Sequence, residues 1–351
     1  MDVKKNMNKL HWLPLEILDK RYTAQTRKWY GDEFKKHFDV NMIEGEQLTS
    51  KIESGSFLDA YGTNYYKFTQ LAEVAKQFRD KKINDGDIFF IDDLWMPGLE
   101  GIKYMEKMGK EMNIKIYGVM HAGSWIPSDD VATKLGKQKW CKKYEKSLFD
   151  LLDGVFVGSQ FHKDMITSYM GKNIENKIYN TGLPFYPSEI HKQTHEHTWK
   201  NKSNIVIFPH RLHPEKHPDL FDNMKNKFKD KYPNWDFIKT MDLDLNKNEY
   251  LELLNKSKIM VSYADQENFG FSTLEAATLG CALILPNRVV YPEFYPKSTL
   301  YNTISECENK VEKIIKQNEK PHNIHNTKVT PYIFEHSIKK MVEVINNDRT
   351  K

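Results

Sequence analysis

The sequence contains little cysteine and no long apolar run, and each absence argues against a class of protein. Its 351 residues include three cysteines without a CxxC pair, so neither a disulfide framework nor a cysteine-based zinc site is expected. No stretch approaches about 18 successive apolar residues, which argues against a transmembrane helix. The opening MDVKKNMNKLHWLPLEI lacks the apolar core and cleavage site of a signal peptide. We therefore expect a cytoplasmic protein with unpaired thiols and no membrane span.

Two widespread nucleotide-binding motifs are also missing. The chain has no GxxxxGK[ST] loop and no GxGxxG sequence after a predicted strand, which disfavours P-loop nucleotide hydrolysis and hydride transfer. The formal charge of +4 is small for this length and permits an anionic partner without requiring one. The length is typical of about two domains, and an aromatic content of 13% supplies apolar volume for two cores.

Short apolar runs alternate with longer amphipathic segments, which is the pattern of parallel βαβ units. The sequence predicts eight strands, over residues 87–92, 115–122, 154–159, 177–182, 204–209, 235–240, 258–264 and 282–286. The predicted fold is α/β, with two doubly wound Rossmann-like domains that face a central cleft. The predicted boundaries are a first domain over 1–190, a polar linker over 191–203, a second domain over 204–330, and a C-terminal helix over 331–351 that crosses back to the first domain.

The loop PHRLHPEKHP follows a predicted strand and precedes a predicted helix. Its Arg211 and Lys216 are two cations beside a helix N-terminus, where charge and free N–H groups together suit a diphosphate. A solvated basic turn explains the same two residues equally well.

The loop ENFGFSTLE precedes another predicted helix. Its Gly270 would let the backbone approach a ligand closely. Ser272 and Glu275 fit a Ser-x-x-Glu capping box, whose side chains satisfy orphan N–H groups of the first turn. The capping box accounts for Glu275 and leaves Glu267 without an explanation.

Together the two loops resemble the donor site of retaining GT-B glycosyltransferases. The similarity consists of Arg211 and Lys216 in R-L-x-x-x-K, followed by Glu267 and Glu275 in E-x-F-G-x-S-x-L-E-A. FPHRLHPEKHPDLF and ENFGFSTLEAATLGCALILPNRVVYPEFYP resemble, more narrowly, the C-terminal half of the queuosine-tRNA mannosyltransferase family, across residues 204–302. In the N-terminal half, only MHAGSW and VFVGSQF are similar to that family's His-containing loop and the strand after it.

The resemblance implies a role for each matched residue. Arg211 and Lys216 would neutralise the diphosphate of a sugar nucleotide, and Glu267 would hold the transferred sugar. His121 matches a histidine that lies near the sugar in such enzymes. Glu275 would accept hydrogen bonds from the ribose hydroxyls. The backbone N–H groups around Phe269, Gly270 and Phe271 would cradle phosphate or sugar, and Ser272 is a further candidate for substrate binding.

The resemblance also implies the chemistry. Transfer would be retaining, with the donor phosphate taking the acceptor proton, so that neither a dedicated base nor a covalent nucleophile is needed. No metal and no cofactor are implied, because cations serve the phosphates and the nucleotide sugar is a co-substrate. The first domain would bind the acceptor and the second the nucleotide sugar. Two family features are absent, since no glycine-rich loop follows KLHWLPLEI and the His-Glu-Asn loop reads His-Ala-Gly at 121–123.

Four residues of the N-terminal half are candidates for contact with the acceptor. Asp92 and Asp93 follow a predicted strand and would either bind acceptor hydroxyls or cap the segment that starts at Pro97. Ser124 and Trp125 lie in the HAGSW loop and would meet the acceptor, with core packing as the alternative for the tryptophan.

The histidines do not form a recognisable metal site. They lie in the predicted linker and in the first cation-bearing loop: His191, His195, His197, His210, His213 and His217. Neither group has zinc spacing with a closing cysteine or aspartate, so surface or linker histidines are the preferred interpretation.

Residues 134–146, KLGKQKWCKKYEK, carry six lysines against one glutamate, Glu145. Trp140 and Tyr144 interleave one helical turn apart, and a basic helix edge with aromatic residues suits a phosphate backbone. A solvated face with its aromatic residues turned to the core explains the composition slightly better, whereas the resemblance to a tRNA-modifying family favours nucleic acid.

These observations favour a metal-independent, retaining glycosyltransferase that moves a sugar from a nucleotide diphosphate to a hydroxyl. The preferred acceptor is a modified base in nucleic acid, either tRNA or hydroxymethylated DNA of the kind that some phages make and modify in the host cytoplasm. The alternative acceptors are a glycan, a lipid carrier or a small molecule, and the lack of a basic amphipathic N-terminal helix argues against a lipid. A non-catalytic nucleic-acid-binding protein on a degenerate GT-B fold is the alternative from another class.

Overall fold

The structure is a computed structural model that describes residues 8–18, 21–51, 59–109, 112–195, 197–319 and 328–348. The described residues divide into two compact units. The first unit runs to Pro184 and takes in the chain from His336 onward, and the second runs from Phe185 to Glu335. The predicted linker over 191–203 therefore belongs to the second unit.

Each unit is built on one parallel sheet. The strands of the first unit are β1 (Lys9–Leu13), β2 (Asp39–Met42), β3 (Ile88–Ile91), β4 (Lys115–Val119), β5 (Gly154–Val157) and β6 (Ile178–Asn180). Those of the second are β7 (Ser203–Phe208), β8 (Asp236–Lys239), β9 (Ser257–Val261), β10 (Ala282–Pro286) and β11 (Leu300–Tyr301). The described helices are α1 (Thr23–Phe34), α2 (Ala60–Arg79), α3 (Glu100–Met108), α4 (Asp130–Leu135), α5 (Cys141–Leu151), α6 (Gln160–Met170), α7 (Pro187–Lys192), α8 (Pro218–Phe228), α9 (Lys247–Lys256), α10 (Phe271–Thr278), α11 (Tyr291–Phe294), α12 (Ile304–Gln317) and α13 (Ser337–Asn347).

The strand orders place one reversal in each sheet. The order in the first unit is β2-β1-β3-β4-β5-β6, with Leu10 paired to Ile88, so the direction in which strands are added reverses between β1 and β3. The order in the second unit is β11-β10-β9-β7-β8, and the reversal lies between β7 and β9. In doubly wound sheets, ligands bind beyond the carboxyl ends of the strands at such a reversal.

Each sheet is covered by helices, and each unit has its own apolar core. All four residues of β3 and all five of β10 are buried, as expected for strands with both faces covered. Helix α12 turns Cys307, Val311 and Ile314 toward the core of the second unit at the spacing of one helix face. All three cysteines are buried and unpaired.

The final helix belongs to the first unit. Its Ile338, Met341 and Ile345 are buried at helical spacing, and the Tyr30 hydroxyl of α1 lies 3.9 Å from Met341 Sδ. The helix begins at Ser337, because a 3-10 segment occupies Pro331–His336.

All eight predicted strands are confirmed, and three further strands were not predicted. Strand β1 was missed because its centre is His11, a fully buried polar residue whose Nε2 lies 2.8 Å from Asp87 Oδ2. Strand β2 is an edge strand without a fully buried residue, and β11 has two residues. None of the three has the apolar run by which a buried strand is predicted.

Candidate active site

The predicted donor residues follow the two strands that flank the reversal in the second unit. The loop after β7 ends in a 3-10 turn, Pro214–Lys216, directly before α8. The loop after β9 ends at Gly270, directly before α10. Because β7 and β9 are paired and parallel, both loops leave the same edge of the sheet, next to two helix N-termini.

An ion-pair network brings together three of the predicted residues. Lys216 Nζ lies 3.5 Å from Glu267 Oε2 and 3.6 Å from Glu215 Oε1, and it donates a hydrogen bond to the carbonyl of Gln266. Arg211 donates a hydrogen bond to the same Oε1 of Glu215. Arg211, Lys216 and Glu267 therefore lie on one network, and Glu215 joins the two cations.

Glu215 was not predicted from the sequence, in which the two cations of the loop are recognisable and the burial of the acid between them is not. The side chain is 4% exposed, and His213 Nδ1 lies 3.7 Å from its second oxygen. A buried carboxylate that binds two cations orients them before any ligand arrives, which is how preorganised electrostatic stabilisation works.

His210, also missed, links the two loops. It is buried, and its Nδ1 lies 3.4 Å from Ser272 Oγ at the start of α10. Burial, together with the positive charges of Lys216 and Arg211, holds the pKa of His210 well below its usual range, so the ring is neutral. Its buried Nε2 has no hydrogen-bond partner among the described residues. Buried polar atoms of that kind are uncommon, and a bound ligand is one explanation for them.

The start of α10 differs from the predicted capping box. The N-cap is Gly270, whose φ of +84° lies in the left-handed region, and no side chain caps the helix. The capping-box prediction is wrong because Ser272 turns to His210 and Glu275 turns to Lys247. The first backbone N–H groups of α10 therefore have no capping side chain.

The aromatic rings beside Gly270 pack within the second unit. Phe269 is buried, with ring centroids 5.0 Å from Phe271, 5.8 Å from Phe294 and 4.7 Å from Phe334. Phe271 remains half-buried. The packing of Phe269 fixes the loop, so that its backbone rather than its ring is available to a ligand.

Glu275 lies apart from the cation network. It is buried, and its Oε1 accepts a hydrogen bond from Lys247 Nζ at 2.5 Å, at the first residue of α9. Lys247 was not predicted, because it is 28 residues away and its helix follows a different strand. This ion pair partly offsets the cost of burying the carboxylate.

A third loop, after β10, is tied to the same edge of the sheet. Arg288 donates to the carbonyls of Tyr263 and Ala264 at 2.7 and 3.0 Å, and it lies 2.9 Å from Asp265. His217 and Val289 have left-handed φ values of 53° and 52°. Strained backbone of this kind is concentrated at functional sites.

The predicted acceptor residues of the first unit lie in the loops after β3 and β4. His121 donates from Nε2 to the carbonyl oxygen of Asp92 at 2.9 Å, since that oxygen can only accept. Burial lowers the pKa of His121. Asp93 forms an ion pair of 2.6 Å with Lys67 and accepts from the N–H of Trp95. The structure brings Asp92, Asp93 and His121 together.

Asp92 is buried, and its carboxylate faces two donors. Trp12 Nε1 donates to it at 2.7 Å, and the backbone N–H of Leu15 donates at 3.1 Å. Burial outweighs these bonds and raises the pKa of Asp92 to about 7. Neither Asp92 nor Asp93 caps α3, whose N-cap is Leu99, so the capping alternative is wrong.

Ser124 and Trp125 contact other parts of the first unit. Ser124 donates from its N–H and its hydroxyl to the fully buried Glu145, and its Oγ lies 3.0 Å from the Tyr169 hydroxyl. Trp125 is 3% exposed and belongs to the core of the first unit. The structure favours the packing alternative for Trp125.

The linker histidines pack against an acid of α9. His195 Nδ1 and His197 Nε2 lie 3.4 and 3.1 Å from the carboxylate of Glu252. Burial acts to raise the pKa of Glu252, but hydrogen bonds from His197, His195 and Asn255 outweigh it and lower the pKa to about 2. Within the described ranges, no group of three or more His, Cys, Asp or Glu side chains is arranged to hold a metal ion. No described helix is long and apolar enough to cross a membrane.

Comparisons with known proteins agree with this architecture. No family model matches the chain. A segment of 86 residues is 43% identical to the tRNA-queuosine alpha-mannosyltransferase of Drosophila melanogaster, and it spans 24% of this chain and about a fifth (21%) of that protein.

Solved structures match over nearly the whole length. They include the sucrose-phosphate synthase of Thermosynechococcus elongatus, at a TM-score of 0.63 and 11% identity over 98% of this chain and 97% of that one. A UDP-forming trehalose-phosphate synthase of Burkholderia xenovorans has a TM-score of 0.65 at 10% identity, over 98% and 99%. The catalytic domain of starch synthase IV of Arabidopsis thaliana, bound to ADP and acarbose, has a TM-score of 0.63 at 9% identity, over 98% of this chain and 100% of that domain. The chain has the α/β fold of GT-B glycosyltransferases, which confirms the predicted fold class.

Proposed function

We propose that the protein is a glycosyltransferase whose second unit binds a nucleotide-diphosphate sugar. The observation that carries the proposal is the network of Arg211, Glu215, Lys216 and Glu267 at the strand-order reversal of a GT-B fold. Two cations held by a buried acid, beside two helix N-termini, have the charge and the donors that a diphosphate needs. The names of the structural neighbours, a UDP-forming synthase and a synthase bound to ADP, support a nucleotide ligand.

The transfer breaks the bond between the sugar's anomeric carbon and the diphosphate oxygen, and it forms a bond from that carbon to the acceptor oxygen. Arg211 and Lys216 stabilise the negative charge that develops on the departing diphosphate. The acceptor proton passes to the departing phosphate oxygen, so the acceptor attacks from the side of the leaving group and the configuration is retained. No step requires a metal ion.

The carboxylates and the histidine hold the donor in this proposal. Glu267 shares Lys216 with Glu215, so it can release the lysine to the diphosphate and accept hydrogen bonds from the sugar. Glu275, which is paired with Lys247, accepts hydrogen bonds from the ribose hydroxyls. The unpartnered Nε2 of His210 supplies one further polar contact, to a phosphate oxygen or a sugar hydroxyl.

The acceptor that we favour is a hydroxyl on a modified base of nucleic acid. The 43% identical segment shared with a tRNA-queuosine mannosyltransferase supports this choice. The structural neighbours that match nearly the whole of this chain, which include a sucrose-phosphate synthase and the catalytic domain of a starch synthase, favour a sugar acceptor as the second candidate.

A matrix of donors and acceptors tests the proposal. UDP-sugars and GDP-sugars are each incubated with tRNA, hydroxymethylated DNA and free glycans, and the products are weighed by mass spectrometry. We expect the added mass of one sugar on nucleic acid. Glu267→Gln, which keeps the size of the side chain and removes its charge, should lower transfer roughly 100-fold, the loss typical for removal of one electrostatic contact.

The outcomes separate the two parts of the proposal. Sugar on glycans alone would reject the nucleic-acid acceptor and retain the glycosyltransferase. No product with any donor, at any acceptor, would reject the glycosyltransferase.

A further inference from the structure

Residues 134–146 form an exposed basic segment on the first unit. All six of its lysines are exposed, and five of them form no ion pair with a described residue: Lys137, Lys139, Lys142, Lys143 and Lys146. The one carboxylate of the segment, Glu145, is fully buried. The outer face of the basic segment therefore carries positive charge that no acid of the segment offsets.

An aromatic ring lies on this charged surface. Trp140 is 50% exposed, so the expectation that the aromatic residues turn to the core is wrong for Trp140. Lys139 directly precedes Trp140 in the sequence, and Lys143 follows it three residues later. The N–H of Tyr144 donates a hydrogen bond of 2.8 Å to the Trp140 carbonyl, as in the first turn of a helix. Helix α5 begins at Cys141, so Lys143 and Lys146, three residues apart, lie on one face of it, and Lys139 lies in the turn that leads into the helix.

The inner side of the basic segment contacts the loops that hold the predicted acceptor residues. Glu145 accepts a hydrogen bond from the N–H of Ser124 at 2.6 Å and from Trp95 Nε1 at 3.2 Å. The ring of Tyr144 lies 5.1 Å from that of Trp95 and 6.4 Å from that of Trp140. One buried acid thus fastens the basic segment to the loops after β3 and β4.

We propose that the basic segment binds an unpaired stretch of the acceptor nucleic acid, with Lys139 and Lys143 on phosphates and Trp140 stacked on a base. The inference rests on the proposed function and names the surface that would hold its acceptor. Lysines that no acid neutralises complement a phosphate backbone. An exposed indole stacks on a base only where the base is free of its own helix, so an unpaired strand fits better than a duplex.

An anionic membrane is the competing partner for a basic surface. A helix that lies on a membrane presents a broad apolar face below its charged face. The outward apolar surface of the basic segment is one large ring, Trp140, between lysines. This pattern favours a single nucleic-acid strand over a membrane, because such a strand alternates bases that stack with phosphates that bind lysines.

The test measures the affinity of the full chain for a short fluorescent RNA and for a DNA of the same unpaired sequence, over a series of salt concentrations. Lys139→Ala/Lys143→Ala should lower the slope of log affinity against log salt by about 1.4, because each lost contact with a single strand removes about 0.7. Trp140→Ala should weaken binding about five- to 150-fold at every salt concentration and leave the slope unchanged, and Trp140→Phe should restore most of the loss.

The matched control is Lys225→Ala/Lys229→Ala, which removes two exposed lysines at the same i, i+4 spacing from the end of α8. Equal losses in the control and in Lys139→Ala/Lys143→Ala would overturn the proposal. Binding of phosphatidylserine vesicles through the same residues, at an affinity equal to that for RNA or DNA, would also overturn it. A preference between RNA and DNA, with the segment's residues required, would identify the acceptor and support the proposal.

Donor turnover without an acceptor, measured on the same variants, separates this inference from the proposed function. We expect it to be unchanged in all of them. If the basic segment is required for nucleic-acid binding and no nucleotide sugar is turned over, the proposed function is wrong and the nucleic-acid-binding role of the basic segment is retained. If turnover is intact and the variants bind nucleic acid as the wild type does, only the nucleic-acid-binding role of the basic segment is rejected.

Discussion

Lys216 Nζ lies between two carboxylates, 3.6 Å from Glu215 and 3.5 Å from Glu267, and this arrangement governs the candidate donor site. The lysine is 5% exposed, so its charge is stabilised by these partners rather than by water. A diphosphate that replaces Glu267 as partner of Lys216 would free that carboxylate for the sugar. The site is thus charged and paired before a ligand binds.

At the same scale, Asp92 predicts a pH dependence of stability. Its pKa is raised to about 7 by burial, from an ordinary value of 3.8, so the native state retains a proton that the unfolded state has lost between these values. The free energy of unfolding therefore falls as pH rises through that window, by at most about 1.4 kcal/mol per pH unit, and the loss is complete above about pH 7.

Urea unfolding of the wild type and of Asp92→Asn, from about pH 5 to about pH 8, measures this effect. The amide in the variant does not titrate, so the wild-type free energy of unfolding should decline relative to that of the variant up to about pH 7 and then run parallel to it. Titration of the other groups cancels in the difference. Parallel curves over the whole range would show that Asp92 is ionised throughout.

Residue types identified the cations and acids of the site, and residue spacing did not identify their partners. Arg211, Lys216 and Glu267 were predicted and lie on one network. Glu145 reads as a surface acid among lysines, yet it is buried because Ser124 and Trp95, 21 and 50 residues away, donate to it. A partner that reaches a residue from another loop cannot be deduced from the residue's own neighbours in the sequence.

At the scale of elements, the backbone at Gly270 determines where α10 begins. The capping box of Ser272 and Glu275 satisfied the local rule, but a left-handed residue two positions earlier supplies the actual start. A Cβ at Gly270 would meet its nearest atom at 3.5 Å, an ordinary contact, so a side chain there has space and only the backbone conformation opposes it.

Gly270→Ala should therefore lower the free energy of unfolding by about 1–2 kcal/mol, the cost of the left-handed conformation for a residue with a side chain. The matched control is Gly101→Ala in α3, where a Cβ meets no atom within 4 Å. It should be neutral or stabilise the protein by up to about 1 kcal/mol, because alanine favours a helix. Urea unfolding measures both, and equal effects would mean that the loop accepts a right-handed residue.

Strands with apolar runs were predicted from the sequence, and strands stabilised by buried polar pairs were not. In β3, IFFI is apolar throughout and needs no partner to be recognised. In β1, His11 interrupts the apolar pattern, and only Asp87 and Asn41, which follow much later in the chain, explain its burial. The pattern therefore predicted the apolar strands of both sheets and missed β1 and β2 in the first and the two-residue β11 in the second.

At the scale of the whole molecule, two doubly wound units divide the candidate functions. The second unit holds the charged network and the first holds the carboxylates, the neutral His121 and the basic segment. Sequence identity to the solved structures is 9–11%, so the similarity over 98% of the chain is a similarity of backbone fold. A sequence pattern of strands and helices is enough to predict such a fold. Donor and acceptor choice depends on side chains that this low identity does not carry over.

The release of nucleoside diphosphate from a panel of nucleotide sugars tests the central claim most directly. The wild type should turn over at least one donor, Glu267→Ala should lower that rate roughly 100-fold, and the exposed control Glu343→Ala should leave it unchanged. Folding of each variant is checked by its urea midpoint. If the wild type released nucleoside diphosphate from every donor no faster than Glu267→Ala does, the assignment of the second unit as a nucleotide-sugar site would be contradicted.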